Sequence, residues 1–136
     1  MKSFTQTYTI NAPLEKVWKA LIDPEEIDLW GAGPAVMDDQ EGTEFKLWDG
    51  DIYGKNIEVV KNARLAESAK RARLVQEWSE DGWDAPSKVT FELSQKDGKT
   101  IVNLTHENVP DSEAKEIEDG WKRHYLGPLK KYVELT

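Results

Sequence analysis

Of the two histidines in this chain, His106 is the one whose sequence pattern could place it in a catalytic or binding site. His106 alternates with Val102 and Leu104 along a predicted strand, so the three side chains share the inward face. An inward imidazole could act as a general base or orient a polar group of a ligand, but a base needs an orienting partner. Glu107 is adjacent and therefore points to the opposite face. A hydrogen-bonded structural histidine is the alternative.

The carboxylates show no arrangement suited to acid–base catalysis. Asp38-Asp39 and Glu80-Asp81 both fall in predicted turns, where acidic residues are common. The chain contains no cysteine, and it shows no glycine-rich phosphate loop, no Ser–His–Asp order and no metal-ligand spacing. We therefore predict no catalytic residue, no metal site and no cofactor.

Aromatic residues are the main compositional feature, with six Trp, four Tyr and three Phe. They can build a hydrophobic core from few residues, or they can line an apolar pocket, and both interpretations stay open at this point. The tryptophans are Trp18, Trp30, Trp48, Trp78, Trp83 and Trp121.

Length and charge narrow the class of protein. A chain of 136 residues suits one domain over residues 1–136, which would bury about two thirds of its unfolded surface. The net charge of −8 argues against nucleic-acid binding, because phosphate neutralisation needs a basic face. No apolar run approaches the roughly 20 residues of a membrane span, and the N-terminus lacks a signal pattern. We expect a cytoplasmic protein.

The element that must position any site is a long C-terminal helix, predicted over Asp111 to Val133. Its apolar residues recur every three or four positions and share one face; they are Ile117, Trp121, Tyr125, Leu129 and Tyr132. Gly127-Pro128 interrupts the pattern, because proline removes a hydrogen bond and clashes with the preceding turn. The expected kink, which would leave the His124 carbonyl unpaired, either follows a curved sheet or opens space for a ligand.

The preceding chain is predicted to form the sheet under that helix. An alternating strand at Ser3 to Asn11 is followed by two short helices, which begin near Pro13 and at Pro24. About six antiparallel strands then follow, with hairpin turns at Asp49-Gly50 and Asp97-Gly98. Hairpins with helices on one side predict an α+β layer structure.

Lys61 to Ala72 departs from the strand pattern. The segment is rich in Ala, Arg, Glu and Lys, so local propensity favours helix. We expect an exposed helical excursion of a turn or two, inserted between two strands over residues 61–72. Its basic residues form either a solvated surface or a docking patch for an acidic partner.

Several short motifs, in order along nearly the whole chain, resemble one known family. The motifs are Ile10-Asn11-Ala12-Pro13 running into Val17-Trp18 and Leu21, Asp23-Pro24-Glu25, Gly54 after Asp49-Gly50, Leu74 to Trp78 with Trp83 close behind, Leu104-Thr105-His106 before Pro110, and Gly120-Trp121 with Leu129. Together they resemble homologues of the activator of the ninety-kilodalton heat-shock chaperone ATPase, in the START-like helix-grip superfamily.

The resemblance implies a curved antiparallel sheet of about six to seven strands around the long C-terminal helix, with two short helices after strand 1. It also implies that an apolar cavity often lies between helix and sheet. The eukaryotic activators carry a separate N-terminal domain that does much of the chaperone binding, and nothing in this chain corresponds to it.

Three functional hypotheses follow. The first is non-catalytic binding of a small hydrophobic or amphipathic molecule between the C-terminal helix and the sheet, with Tyr8, Tyr53, Phe91, His106, Trp121 and Tyr125 as the predicted lining. The second is a stress-related co-chaperone that binds a heat-shock chaperone and modulates its ATPase. The third is a cyclase- or hydrolase-like enzyme, and it rests on His106 alone.

Overall fold

One antiparallel sheet of six strands forms the frame of the molecule. The computed structural model describes the backbone of residues 1–66 and 69–136 and the side chains of residues 1–61 and 70–136. The strands lie in the order β1-β6-β5-β4-β3-β2. Their bounds are β1 Lys2–Ile10, β2 Glu44–Leu47, β3 Ile52–Ala66, β4 Ala69–Ser79, β5 Ser87–Lys96 and β6 Lys99–Val109. The predicted α+β helix-grip architecture is confirmed.

Two short helices follow β1, as predicted. Helix α1 spans Leu14–Ile22 and helix α2 spans Pro24–Trp30. The side chain of Asp23 accepts a hydrogen bond from the Glu25 backbone N–H at 2.9 Å and so caps α2, while Pro24 occupies the first helical position, where its missing N–H costs nothing.

The long C-terminal helix consists of three consecutive parts. Helix α3 spans Ala114–Gly120, a π-helical turn spans Trp121–Tyr125, and helix α4 spans Leu126–Leu135. Trp121 is 2% exposed, so the predicted apolar face of this helix is buried at this residue. No helix in the described part of the chain is long and apolar enough to cross a membrane.

The predicted irregularity takes the form of the π-helical turn, which ends three residues before Pro128. The backbone departs from helical values at Tyr125, with φ −119° and ψ −84°. A π-helical turn widens the helix by one residue, and Pro128 supplies no N–H at the position where the His124 carbonyl would otherwise be paired. A Cβ on Gly127 would lie 1.9 Å from the Lys122 carbonyl oxygen. Glycine and proline therefore shape this turn together.

The helix predicted in Lys61 to Ala72 is wrong. Most of this segment is strand: β3 runs to Ala66, β4 begins at Ala69, and Ala72 pairs with Leu93 of β5. Helix propensity is a weak prior, and pairing of β4 on both edges overrides it. The rest of the predicted helix, Glu67 and Ser68, lies outside the described residues. That residues 61–72 are an insertion stays a prediction.

A register shift also changes one strand face. Strict alternation along β3 would place Tyr53, Ile57 and Val59 on one face, but the pairing of β3 with β4 shifts between Asn56 and Glu58. Such a bulge adds a residue and reverses the alternation. Tyr53 and Ile57 are therefore exposed, at 36% and 43%, while Val59 packs against the core.

The close approach at Gly127 gives a stability prediction. We expect Gly127→Ala to lower the free energy of unfolding by about 1–3 kcal/mol, because the new methyl group would overlap the Lys122 carbonyl. The matched control is Gly120→Ala. Gly120 has helical angles and 4.0 Å of clearance to its nearest neighbour, so alanine there should raise stability by about 0.5–1 kcal/mol. Urea melts of both variants measure this, and equal effects would contradict the account of the π-helical turn.

Candidate functional site

A chain of hydrogen bonds joins the C-terminal helix to the sheet. The indole Nε1–H of Trp121 donates to Nδ1 of His106 at 3.0 Å. Nε2 of His106 lies 2.8 Å from the hydroxyl of Ser87, and that hydroxyl donates to the backbone carbonyl of Trp78 at 3.0 Å. Since Nδ1 accepts, the proton of the neutral imidazole sits on Nε2, and both imidazole nitrogens, the Trp121 indole N–H and the Ser87 hydroxyl all have partners.

The burial and bonding of His106 bear on whether it could act as a base. The side chain is fully buried, and burial lowers its pKa to about 4, because a charged imidazolium is poorly solvated in an apolar interior. Both ring nitrogens are already engaged with protein groups, which leaves neither free to take a proton from a substrate. The structural alternative raised by the sequence is the one that this geometry supports.

The centre of the helix–sheet interface is filled with aromatic rings. Trp121 stacks on Trp78 with ring centroids 4.6 Å apart and an interplanar angle of 26°. Phe91 lies 5.6 Å from Trp121 and 5.8 Å from Tyr125. Four of the six residues predicted to line a cavity, including His106, are thus brought together, but they contact one another directly.

The other two predicted residues lie elsewhere. Tyr8 is half-buried on the edge strand β1, and its hydroxyl donates to the Gln6 side-chain oxygen at 2.6 Å. Tyr53 lies on the outer face of β3, beside Asp81. Tyr8 packs against the core from the edge of the sheet, whereas Tyr53 is exposed, and a binding role for either stays a prediction.

An open cleft of about 360 Å³ lies at one end of the helix–sheet interface. It runs between the start of the C-terminal helix, the turn before β3 and the end of β4. Its apolar lining consists of Trp48, Ile52, Trp78, Ile117, Trp121 and Tyr125, its carboxylates are Asp51, Glu80, Glu113 and Glu116, and Gly120 and His124 complete it. We call this feature the aromatic cleft.

Only Trp121 and Tyr125 of the predicted site residues line the aromatic cleft. The remaining residues of the cleft were not predicted, because they come from separate elements that meet only through the sheet register. One signal was present in the sequence. The break at Gly127-Pro128 lies just after the π-helical turn, and that turn forms part of the cleft wall. Such turns are frequent at functional sites.

The carboxylates around the aromatic cleft influence one another. Burial raises the pKa of Glu80, and the charges of Glu113, Glu116 and Asp51 raise it further. Glu113 accepts a hydrogen bond from the Trp83 indole N–H at 2.7 Å. In the described part of the chain, none of these four carboxylates forms an ion pair with a lysine or arginine. The cleft therefore combines an apolar floor with a negative rim.

A second buried polar group supports the end of β4. The Gln76 amide nitrogen donates to the Asn56 side-chain oxygen at 2.9 Å, and the Trp78 indole N–H donates to the Gln76 side-chain oxygen at 2.8 Å. Asn56 in turn donates to the Asp38 carbonyl at 3.2 Å. These bonds hold the indole of Trp78 in place between the cleft and the core.

Comparison with family models matches residues 11–134 to the model described as Activator of Hsp90 ATPase homolog 1-like protein. Among relatives of known sequence, the mouse protein "Activator of 90 kDa heat shock protein ATPase homolog 2" is 23% identical over 96% of this chain and 37% of its own length. A Dictyostelium discoideum protein, "Activator of 90 kDa heat shock protein ATPase homolog", is 32% identical over 70% of this chain and 23% of its own length. The chain thus spans less than two fifths of the length of either relative.

Two solved structures share the fold along nearly the whole chain. An HSP90 activator from Plasmodium falciparum superposes with a TM-score of 0.83 at 25% identity, covering 98% of this chain and 96% of the other. CalU16 from Micromonospora echinospora superposes with a TM-score of 0.75 at 25% identity, covering 96% of this chain and 75% of the other.

The buried neutral imidazole of His106 makes stability depend on pH. In the unfolded chain this group takes up a proton near pH 6.5, but in the folded protein only near pH 4. Between those values the unfolded state binds more protons, so stability falls as pH falls and is unaffected by this group above that window. Its full contribution is about 3 kcal/mol.

We expect urea melts from about pH 7 to about pH 4.5 to show a loss of stability that is 2–3 kcal/mol larger in the wild type than in His106→Gln. The comparison between proteins removes the effect of carboxylates that titrate in both. His124→Gln, at the exposed histidine, serves as the matched control and should keep the wild-type slope. Parallel pH profiles for the wild type and His106→Gln would contradict burial of a neutral imidazole.

Proposed function

This chain belongs to the family of Activator of Hsp90 ATPase homolog 1-like proteins, and we propose that it is a non-catalytic member that binds a small amphipathic molecule in the aromatic cleft. The observation that carries the proposal is the cleft of about 360 Å³ with three indoles on its floor. Preformed concave sites with an apolar lining and a few polar groups are the usual form of small-molecule sites.

The filled centre of the interface restricts where a ligand would lie. Trp121, Phe91 and Tyr125 contact one another under the helix, so a ligand in that position would have to displace rings that pack against each other. The aromatic cleft needs no such rearrangement, because it is already open and its lining residues Trp48, Ile52 and Ile117 are only partly buried. The proposed site is therefore the end of the interface rather than its centre.

The rigidity of the floor also supports binding. The Trp78 and Trp121 indole N–H groups are held by hydrogen bonds to Gln76 and His106. The indole N–H of Trp48 donates to the Gly31 carbonyl at 3.1 Å. Side chains fixed in this way lose little conformational entropy when a ligand binds.

Proton–nitrogen correlation spectra test the proposal directly, because each tryptophan indole gives its own signal. On titration with naphthalene-based probes, we expect the signals of Trp48, Trp78 and Trp121 to shift, while that of Trp18, buried away from the cleft, stays in place. Ile117→Ala removes apolar floor and should weaken binding about three- to tenfold.

Ile57→Ala is the matched control. It makes the same substitution at an exposed position outside the cleft, and affinity should not change. If no probe shifts the three cleft indoles, or if Ile57→Ala weakens binding as much as Ile117→Ala, binding in the aromatic cleft is excluded.

A co-chaperone role is the second candidate, and a different observation favours it. The solved structure with a TM-score of 0.83 is that of an HSP90 activator of similar extent. Three basic residues lie on β4, and two of them are already paired. Arg73 contacts Glu58 and Glu92, and Lys70 pairs with Glu15 at 3.0 Å. Arg71 is exposed on the same strand, which leaves it available to an acidic partner.

A steady-state ATPase assay with the heat-shock chaperone of the same organism tests this role. We expect the protein to change the ATPase rate and to co-sediment with the chaperone, and Arg71→Glu to weaken both effects by reversing a charge at the contact. Arg123→Glu, at an exposed position on the C-terminal helix, is the control and should behave as the wild type. An unchanged rate together with no co-sedimentation would exclude the co-chaperone role.

A further inference from the structure

The rim of the aromatic cleft specifies the charge of what it binds. We propose that the ligand is an amphipathic cation, with an aromatic or aliphatic body on the indole floor and an ammonium-type group against Asp51, Glu80, Glu113 and Glu116. This inference rests on the proposed binding function and adds the chemical class of the ligand to it.

The carboxylates come from three different elements. Glu113 and Glu116 lie at the start of α3, where the partial positive charge of a helix N-terminus favours acidic residues. That explanation does not extend to Asp51, in the turn before β3, or to Glu80, just after β4. The fold brings these two carboxylates to the same cleft, although no basic side chain in the described structure pairs with them.

Their proximity has an electrostatic cost in the absence of a cation. The raised pKa of Glu80 has burial as its main cause and repulsion by Glu113, Glu116 and Asp51 as the next. A cation placed among these groups would be attracted by all four and would lower that repulsion. The same pattern repels an anionic ligand, which separates this cleft from a site for fatty acids or aromatic acids.

The floor of the cleft suits the same class of ligand. Tryptophan has the most favourable ring for contact with a cation, and Trp48, Trp78 and Trp121 all line the cleft. Tyr125 also lines it, and the buried hydroxyl of Tyr125 has no hydrogen-bond partner among the described residues. That hydroxyl is itself buried, so it supplies no contact to a ligand in the open cleft.

A bare metal ion fits this site less well than an organic cation. In the part of the chain that the structure describes, no group of three or more His, Asp or Glu side chains converges closely enough to hold a metal. Hard metal ions need six or more oxygen ligands at short distance, whereas an apolar floor offers none. An organic cation uses both the floor and the rim.

Three probes with one ring system separate charge from shape. Naphthylmethylamine carries a positive charge at neutral pH, naphthylmethanol is neutral, and naphthoate is negative. We expect the dissociation constant of the amine, followed by the indole signals of Trp48, Trp78 and Trp121, to be about tenfold lower than that of the alcohol. Naphthoate should bind most weakly, and added salt should reduce the preference for the amine.

Glu80→Gln and Glu116→Gln remove one rim charge each and should reduce the preference for the amine, taken as the ratio of the dissociation constants of alcohol and amine, about threefold or more. Glu118→Gln is the matched control. It removes a charge from the same helix at an exposed position outside the cleft, and it should retain the wild-type preference.

The outcomes distinguish the two proposals. If amine and alcohol bind equally, or if Glu118→Gln reduces the preference as much as Glu80→Gln, the cation inference is overturned while binding in the aromatic cleft stands. If none of the three probes shifts a cleft indole, the proposed function fails and the inference fails with it.

Discussion

The hydrogen bond from the Trp121 indole to His106 is the interaction on which the rest of this structure depends. It sets the rotation of the C-terminal helix on the sheet, and it does so inside an apolar layer, where an unpaired indole or imidazole nitrogen would be costly. The bond to Ser87 completes the imidazole's requirements and fixes its tautomer. His106, which the sequence presents as a candidate catalytic or ligand-binding residue, thus orients the C-terminal helix on the sheet.

The position of the helix determines where space is left. With Trp121 seated on His106, the rings of Phe91 and Tyr125 close the centre of the interface, and the remaining volume lies at the end where Trp48 reaches the helix. The π-helical turn contributes to both features, because its residues form part of the core on one side and part of the cleft wall on the other. The position of the helix on the sheet and the shape of the cleft therefore both depend on the geometry of the π-helical turn.

Much of the fold follows from local patterns in the sequence. The spacing of Trp121 and Tyr125 predicted the apolar face of the C-terminal helix. The dipeptide Asp97-Gly98 predicted a two-residue turn, and both residues do adopt positive φ in the structure. The site was less predictable, because His106 meets its partners only through strand register and helix packing. Propensity also misled at Ala72: the helix-forming composition concealed an alternation of exposed and buried residues that pairing on both sides of β4 enforces.

The protonation state of His106 tests the central claim most directly. A long-range proton–nitrogen correlation spectrum of the imidazoles reports tautomer and charge without relying on unfolding. The structure predicts that His106 carries its proton on Nε2, with Nδ1 accepting from Trp121, and that it stays neutral down to about pH 5, because burial lowers its pKa. A proton on Nδ1, or a charged imidazolium at about pH 6, would contradict the account of how the helix is held.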